Sequence, residues 1–155
     1  MSTSPIRVAI IGARDASEAG LKFAYETGAL LAKQNVIVYT GGANGIMEAA
    51  SKGVAEAGGV NVGILKSADL ELANPYVGIP IMTGMGDLRN GIIIRSVHGS
   101  IAVEGSYGTL SEIAYTLSYD KPVVGFNTWD IPGLVPVNTP EDAVKTILAL
   151  IRKDN

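Results

Sequence analysis

The sequence contains no cysteine, which excludes disulfide bonds, thiolate catalysis and cysteine-based zinc sites. It contains one histidine, His98, and a single histidine cannot build a metal site by itself. We expect His98 to lie near the end of a helix, away from any ligand. The sequence therefore predicts no metal site and no required cofactor.

Long hydrophobic runs are also missing. Hydrophobic residues make up 47% of the 155 residues, but Gly, Ser and charged residues interrupt them throughout. No run approaches the roughly 20 apolar residues that span a bilayer. Residues 1–5 show no signal-peptide pattern. We therefore expect a cytoplasmic protein without membrane contact.

Positive charge is not concentrated anywhere along the chain. The 12 Lys and Arg residues are scattered, and the net charge is −3. Because nucleic-acid binding requires a clustered basic surface, no nucleic-acid partner is expected. A small anionic ligand is still compatible with this composition, since backbone N–H groups and one or two cations can hold it.

What the sequence does contain is 19 glycines and an alternation of short β-branched runs with longer amphipathic stretches. This alternation is typical of βαβ units. It predicts one domain, residues 1–155, with an α/β, Rossmann-like, three-layer α/β/α fold and a mostly parallel central sheet. The predicted strands are residues 6–11, 36–39, 60–65, 79–82, 100–103 and 122–126.

Capping residues predict where several helices begin. Ser17 and Asn44 are the predicted N-caps of the first two helices. Residues 88–97 are predicted to form a further helix, and another begins at Thr109. Thr139 is the predicted N-cap of the last helix, because a proline and two acidic residues follow it.

Two glycine-rich segments, residues 40–45 and 105–109, each lie between a predicted strand and a predicted helix. Ligands of open parallel sheets bind at this edge, where the free N–H groups of helix starts hold phosphate. Glycines that only permit tight turns are the alternative, but two such loops on one edge favour phosphate. The predicted ligand contacts are Gly12, Gly41, Gly42, Gly45, Gly105, Ser106, Tyr107, Gly108 and Thr109.

Two motifs of nucleotide enzymes are absent. The first predicted strand is not followed by G-x-G-x-x-G, and the second does not end in an acidic residue, so a dinucleotide-dependent dehydrogenase is not supported. The sequence also contains no G-x-x-x-x-G-K-[ST] motif for Walker-type ATP hydrolysis.

Arg89 and Glu112 are the charged residues that we expect on the ligand edge. Arg89 could hold a phosphate, or it could be solvated or paired with Asp87. Glu112 could act as a general base. However, it also completes a T-x-x-E capping box with Thr109, and the residues alone favour that cap. Tyr107 could stack on a base or simply lie on the loop surface.

Residues 105–112, Gly-Ser-Tyr-Gly-Thr-Leu-Ser-Glu, resemble the P-G-G-x-G-T-x-x-E motif of the "Lonely guy" proteins, which are phosphoribohydrolases often labelled lysine decarboxylases. Residues 40–50 resemble the second glycine-rich element of that superfamily. The resemblance implies a homodimer or higher homo-oligomer that cleaves the N-glycosidic bond of nucleoside 5′-monophosphates. It also implies that Arg89 contacts the substrate and that Glu112 is the catalytic carboxylate.

Three residues depart from that pattern. Asn90 replaces a lysine, Glu104 replaces the proline, and Ser106 replaces a glycine. These departures resemble a sister branch that includes the molybdenum-cofactor carrier proteins. That branch implies a non-catalytic alternative, in which the protein binds and carries molybdenum cofactor or a related phosphorylated pterin. The expected partner in either case is a small phosphorylated ligand, either a nucleotide or the molybdenum cofactor.

Overall fold

A computed structural model describes residues 4–153. Residues 1–3 of the segment 1–5, which shows no signal-peptide pattern, lie outside the described residues. The strands are β1 (Arg7–Gly12), β2 (Ile37–Thr40), β3 (Asn61–Leu65), β4 (Ile79–Met82), β5 (Gly99–Val103), β6 (Val123–Phe126) and β7 (Leu134–Pro136). The helices are α1 (Glu18–Lys33), α2 (Ile46–Glu56), α3 (Arg89–Arg95), α4 (Tyr107–Ser118) and α5 (Pro140–Lys153). Short 3-10 turns occupy Leu70–Leu72 and Gly86–Leu88.

The seven strands form one sheet in the order β4-β3-β2-β1-β5-β6-β7, and every neighbouring pair is parallel. The chain builds outward from β1 to β4 on one side and then crosses to β5 on the other side of β1. The strand order therefore reverses between β1 and β5. In open parallel sheets, the crevice at such a reversal is where ligands bind.

Helices cover both faces of the sheet, which explains why central strands are continuous apolar runs. In β1, the buried side chains alternate between two core clusters. Val8 and Ile10 belong to the cluster that also contains residues of α1, α2 and α5. Ala9 and Ile11 belong to the cluster that contains residues of α3 and α4. Among residues 4–153, no helix is long and apolar enough to cross a membrane.

The predicted Rossmann-like fold is confirmed, and the sheet is parallel throughout. All six predicted strands are present within one or two residues of their predicted bounds. The Ser17 cap is confirmed, because the Gly20 N–H donates to its hydroxyl at 3.1 Å. The Thr139 cap is also confirmed, since its hydroxyl accepts from the Asp142 N–H at 3.1 Å.

Other boundaries differ from prediction. Asn44 does not cap α2; Gly45 precedes this helix instead, with a φ of +70° that favours glycine. The helix predicted for residues 88–97 is shorter, because a 3-10 turn takes its first residue and α3 ends at Arg95. Strand β7 was not predicted: it has only three residues and ends in Pro136.

Candidate functional site

A cavity of about 630 Å³ lies at the carboxyl ends of β1 and β5, where the strand order reverses. This volume falls within the range of roughly 300–1,000 Å³ typical of small-molecule sites. The lining comes from the loops after β1, β2 and β3 and from the amino ends of α3 and α4. Eight of the predicted site residues line it, namely Gly12, Gly41, Arg89, Ser106, Tyr107, Gly108, Thr109 and Glu112.

Three predicted glycines are not among the lining residues, and each faces other parts of the protein. A Cβ at Gly42 would lie 2.3 Å from the Leu65 side chain, and one at Gly45 would lie 2.2 Å from the Arg14 carbonyl oxygen. A Cβ at Gly105 would lie 2.4 Å from the Thr109 side chain. These glycines shape the loops that carry the lining.

Gly41 makes room for the guanidinium of Arg89. A Cβ at Gly41 would lie 2.3 Å from Arg89 Nη2 and 2.7 Å from the sulfur of Met47. The same nitrogen of Arg89 donates to the Gly41 carbonyl at 3.3 Å. The loop after β2 therefore positions Arg89 by leaving a gap that only glycine provides.

Arg89 and Glu112 form a buried ion pair in the lining of the cavity. The Arg89 Nη1 and Glu112 Oε1 atoms are 3.8 Å apart, and the residues are only 3% and 6% exposed. Burial raises the pKa of Glu112 to about 7, although the neighbouring Arg89 acts in the opposite direction. Burial also lowers the pKa of Arg89 from its ordinary value.

The capping-box prediction for Thr109 and Glu112 is wrong. Helix α4 begins at Tyr107, two residues earlier than predicted, so Thr109 lies inside its first turn. The Glu112 carboxylate is buried beside Arg89. The alternative pairing of Arg89 with Asp87 is replaced by an ion pair between Asp87 and Lys66.

Asn90 links α3 to the first turn of α4. Its side-chain oxygen accepts a hydrogen bond from Arg89 Nη1, and its Nδ2 donates to the Ser111 hydroxyl at 3.1 Å. That hydroxyl donates in turn to the Gly108 carbonyl at 2.6 Å. The residue that departs from the Arg-Lys pattern thus holds Arg89 and α4 in a fixed relation.

The amino end of α4 supplies free donors to this cavity, and Arg89 places a cation in its lining. Ser106 precedes the helix, and no side chain caps it. The first N–H groups of a helix have no partner within the helix, and they carry partial positive charge. Arg89 Nε is buried and has no hydrogen-bond partner among the described residues. The helix end and the nearby Arg89 cation together are suited to an anion.

Sequence reasoning missed four charged residues of the lining, because they belong to no motif and simply follow strands or turns. Arg14 and Asp15 follow β1, Lys66 follows β3, and Asp87 lies in a 3-10 turn. The hydrogen bond and charge of Lys66 lower the pKa of Asp87. Their position at the carboxyl ends of strands was the signal that could have identified Arg14 and Lys66.

Glu104 does not face the anion site. Its carboxylate lies at the amino end of α1, where it accepts from the Ser17 N–H at 3.0 Å and from the Ser17 hydroxyl. In dinucleotide-binding Rossmann folds, a pyrophosphate occupies the amino end of the first helix. Here a carboxylate of the protein takes that place, which leaves the amino end of α4 for a ligand.

His98 lies away from the cavity, as predicted. It follows α3, and its Nδ1 accepts from the Arg7 N–H at 3.0 Å. Burial, followed by the charge of Arg7, lowers its pKa. Among residues 4–153, no group of three or more His, Cys, Asp or Glu residues could hold a metal ion.

Comparison with known families identifies the family of this chain. The sequence model of the SLOG cluster4 family matches residues 5–150. The chain belongs to the SLOG cluster4 family. This confirms the resemblance to the "Lonely guy" and lysine-decarboxylase-like superfamily. An uncharacterized protein of Archaeoglobus fulgidus is 39% identical over 140 residues, which cover 90% of this chain and 92% of that protein.

Two solved structures identify the branch of this SLOG cluster4 protein. The molybdenum cofactor binding protein of Rippkaea orientalis is 32% identical, with a TM-score of 0.91 over 97% of this chain and 99% of that one. The Moco carrier protein of Chlamydomonas reinhardtii is 31% identical, with a TM-score of 0.88 over the same shares. The chain is thus similar to the carrier branch that Asn90, Glu104 and Ser106 suggested.

The position of Glu104 leads to a prediction for this SLOG cluster4 protein. Glu104→Gln keeps the shape of the side chain but removes the negative charge from the amino end of α1. We expect the free energy of unfolding to fall by about 1 kcal/mol. Urea unfolding of Glu104→Gln, Ser17→Ala and the double variant would also show coupling between the two residues. If the losses of stability in the two single variants simply add up in the double variant, Glu104 and Ser17 do not act together at the amino end of α1.

Proposed function

We propose that this SLOG cluster4 protein binds and carries a phosphorylated pterin of the molybdenum-cofactor type. The observation that carries the proposal is the uncapped amino end of α4 beside the Arg89 cation in the lining of one cavity. A phosphate placed there would receive hydrogen bonds from backbone N–H groups and a cation.

The residues present fit such a molecule. The cavity of about 630 Å³ has room for more than a phosphate, and it opens toward Arg14 and Lys66, which supply further positive charge. With Arg89 these two cations balance three lining carboxylates, namely Asp15, Asp87 and Glu112. The similar Rippkaea orientalis protein is a molybdenum cofactor binding protein, and the similar Chlamydomonas reinhardtii protein is a molybdenum cofactor (Moco) carrier protein. In this proposal the cofactor is cargo, and no bond in it changes.

The carrier proposal is tested by retention of the cargo itself. Molybdenum cofactor released from a molybdoenzyme would be mixed anaerobically with the protein and separated by rapid gel filtration. We expect molybdenum, and the pterin fluorescence that develops when the eluted fractions are oxidised, to co-elute with the wild type and with Arg95→Ala, a variant of an exposed arginine on the same helix. Arg89→Ala should lose both. Failure of the wild type to retain either signal would contradict the proposal.

A second candidate function is cleavage of nucleoside 5′-monophosphates, and the state of Glu112 favours it. A buried carboxyl group with a pKa of about 7 is suited to proton transfer near neutral pH. Its position beside Arg89 in the ligand cavity would also let its anion stabilise an oxocarbenium-like transition state. The proposal is that any hydrolysis uses Glu112 in one of these roles.

Hydrolysis is tested by incubating concentrated protein with AMP, GMP, CMP and UMP. Release of free base that disappears in Glu112→Gln would establish the activity. If none of the four nucleotides releases base, this candidate is wrong, while the carrier proposal is unaffected.

A further inference from the structure

Tyr107 is an aromatic residue at the cavity, and most of its surface is exposed to solvent. It is the first residue of α4, it lines the cavity, and it is 80% exposed. It directly precedes Gly108 and Thr109, whose backbone belongs to the proposed phosphate site. Tyr107 is therefore adjacent in sequence to the backbone N–H groups proposed to bind the phosphate.

The ring is supported from one side by Trp129. The two ring centroids are 6.0 Å apart, and the ring planes are tilted by 33°. The Trp129 indole N–H donates to the Ser106 carbonyl at 3.3 Å. The neighbouring Thr128 hydroxyl donates to the Glu104 carbonyl at 2.6 Å. Two hydrogen bonds therefore hold the segment behind Tyr107 against the loop that begins α4.

We propose that Tyr107, backed by Trp129, is a stacking surface for a flat heteroaromatic ring carried by the phosphorylated ligand. The proposal rests on the proposed function, because the phosphate at α4 is what brings the ring to Tyr107. An exposed aromatic face attracts a heteroaromatic ring by stacking, which does not depend on the hydrogen-bonding pattern of that ring. The ligand class is a phosphate ester with a fused bicyclic ring, which includes purine nucleotides and pterin phosphates.

The site thus has two parts with separate tasks. The amino end of α4 and Arg89 recognise the phosphate, and Tyr107 recognises the ring at the mouth of the cavity. A ligand with both groups is expected to bind better than ribose 5-phosphate, which has the phosphate alone. GMP is a suitable probe, because its guanine ring shares the 2-amino-4-oxopyrimidine part of a pterin.

The test compares GMP and ribose 5-phosphate by isothermal titration calorimetry. In Tyr107→Ala, we expect the ratio of the GMP Kd to the ribose 5-phosphate Kd to rise about ten-fold. Tyr107→Phe keeps an aromatic face, so its ratio should match that of the wild type. Tyr115→Ala is the matched control, since Tyr115 lies on the same helix but does not line the cavity.

The outcomes separate this inference from the proposed function. An unchanged ratio in Tyr107→Ala would overturn the stacking surface even if both probes bind. If neither GMP nor ribose 5-phosphate binds, both the phosphate site and the stacking surface are overturned. Tyr107→Leu, which keeps apolar bulk at the start of α4, carries the same expectation should the alanine variant not fold.

Discussion

Replacing Arg89 with alanine is expected to destabilise the protein by about 3–5 kcal/mol at pH 8, because Glu112 would lose its partner and would have to stay charged in a buried place or take up a proton. The two side chains are almost fully buried and are 3.8 Å apart. The loss should be smaller at pH 5.5, because Glu112 is then largely protonated with or without Arg89 and no buried carboxylate loses its partner. Urea unfolding at both pH values measures the two losses.

The same variant should weaken the binding of a phosphorylated probe such as GMP by about 10- to 100-fold, the range for a lost hydrogen bond to a charged group. Arg95→Ala is the matched control, because this arginine lies at the exposed end of the same helix and contacts the Tyr119 ring. If Arg89→Ala and Arg95→Ala had equal effects on stability and binding, Arg89 would have no special role in the site.

Glu112 should lower the free energy of unfolding of the wild-type protein as the pH rises from about 5 to about 7. The pKa of its carboxyl is raised from an ordinary value of 4.5 to about 7 in the folded protein. Between these two values the folded state holds a proton that the unfolded state has released. Stability from this group is therefore present at low pH and is lost by roughly 3 kcal/mol as the pH passes about 7.

Glu112→Gln removes this pH-dependent contribution. The difference in unfolding free energy between wild type and variant should therefore change by roughly 3 kcal/mol from pH 5 to pH 8. Taking the difference is necessary because the lowered pKa of His98 gives both proteins an opposite slope. Glu71→Gln, at an exposed acid in the 3-10 turn, is the control. A difference that stays constant with pH would show that Glu112 titrates as an ordinary carboxyl group.

The fold was predictable because its central strands are buried on both faces and therefore appear as apolar runs. The run at β1 between Pro5 and Gly12 predicts a central strand, and all four residues of Val8–Ile11 are nearly inaccessible. The three residues of β7 form no such run, and Pro136 argues against a strand when the sequence is read alone. Pairing with β6 is what makes this segment a strand.

The site was predictable at the level of loops but not of individual atoms. Residues 109–112 form a capping-box pattern locally, yet α4 begins earlier and tertiary packing places Glu112 against Arg89. The sequence cannot distinguish Gly41, which leaves space for Arg89, from Gly42, which faces Leu65. Both distinctions depend on residues that are distant along the chain.

Asn90 and Glu104 illustrate what a departure from a motif can mean. Each replaces a residue of the hydrolase pattern, and each has a defined structural task in this protein. Asn90 connects Arg89 to the first turn of α4, and Glu104 closes the amino end of α1. These tasks support a phosphate site at α4 without requiring hydrolysis.

A crystal structure of the complex with a phosphorylated pterin, or with GMP in its place, tests the central claim most directly. We predict the phosphate at the amino end of α4, with its oxygens within hydrogen-bonding reach of the Gly108 and Thr109 N–H groups and beside the Arg89 side chain. A phosphate bound at the amino end of α1, or outside the cavity between β1 and β5, would contradict it.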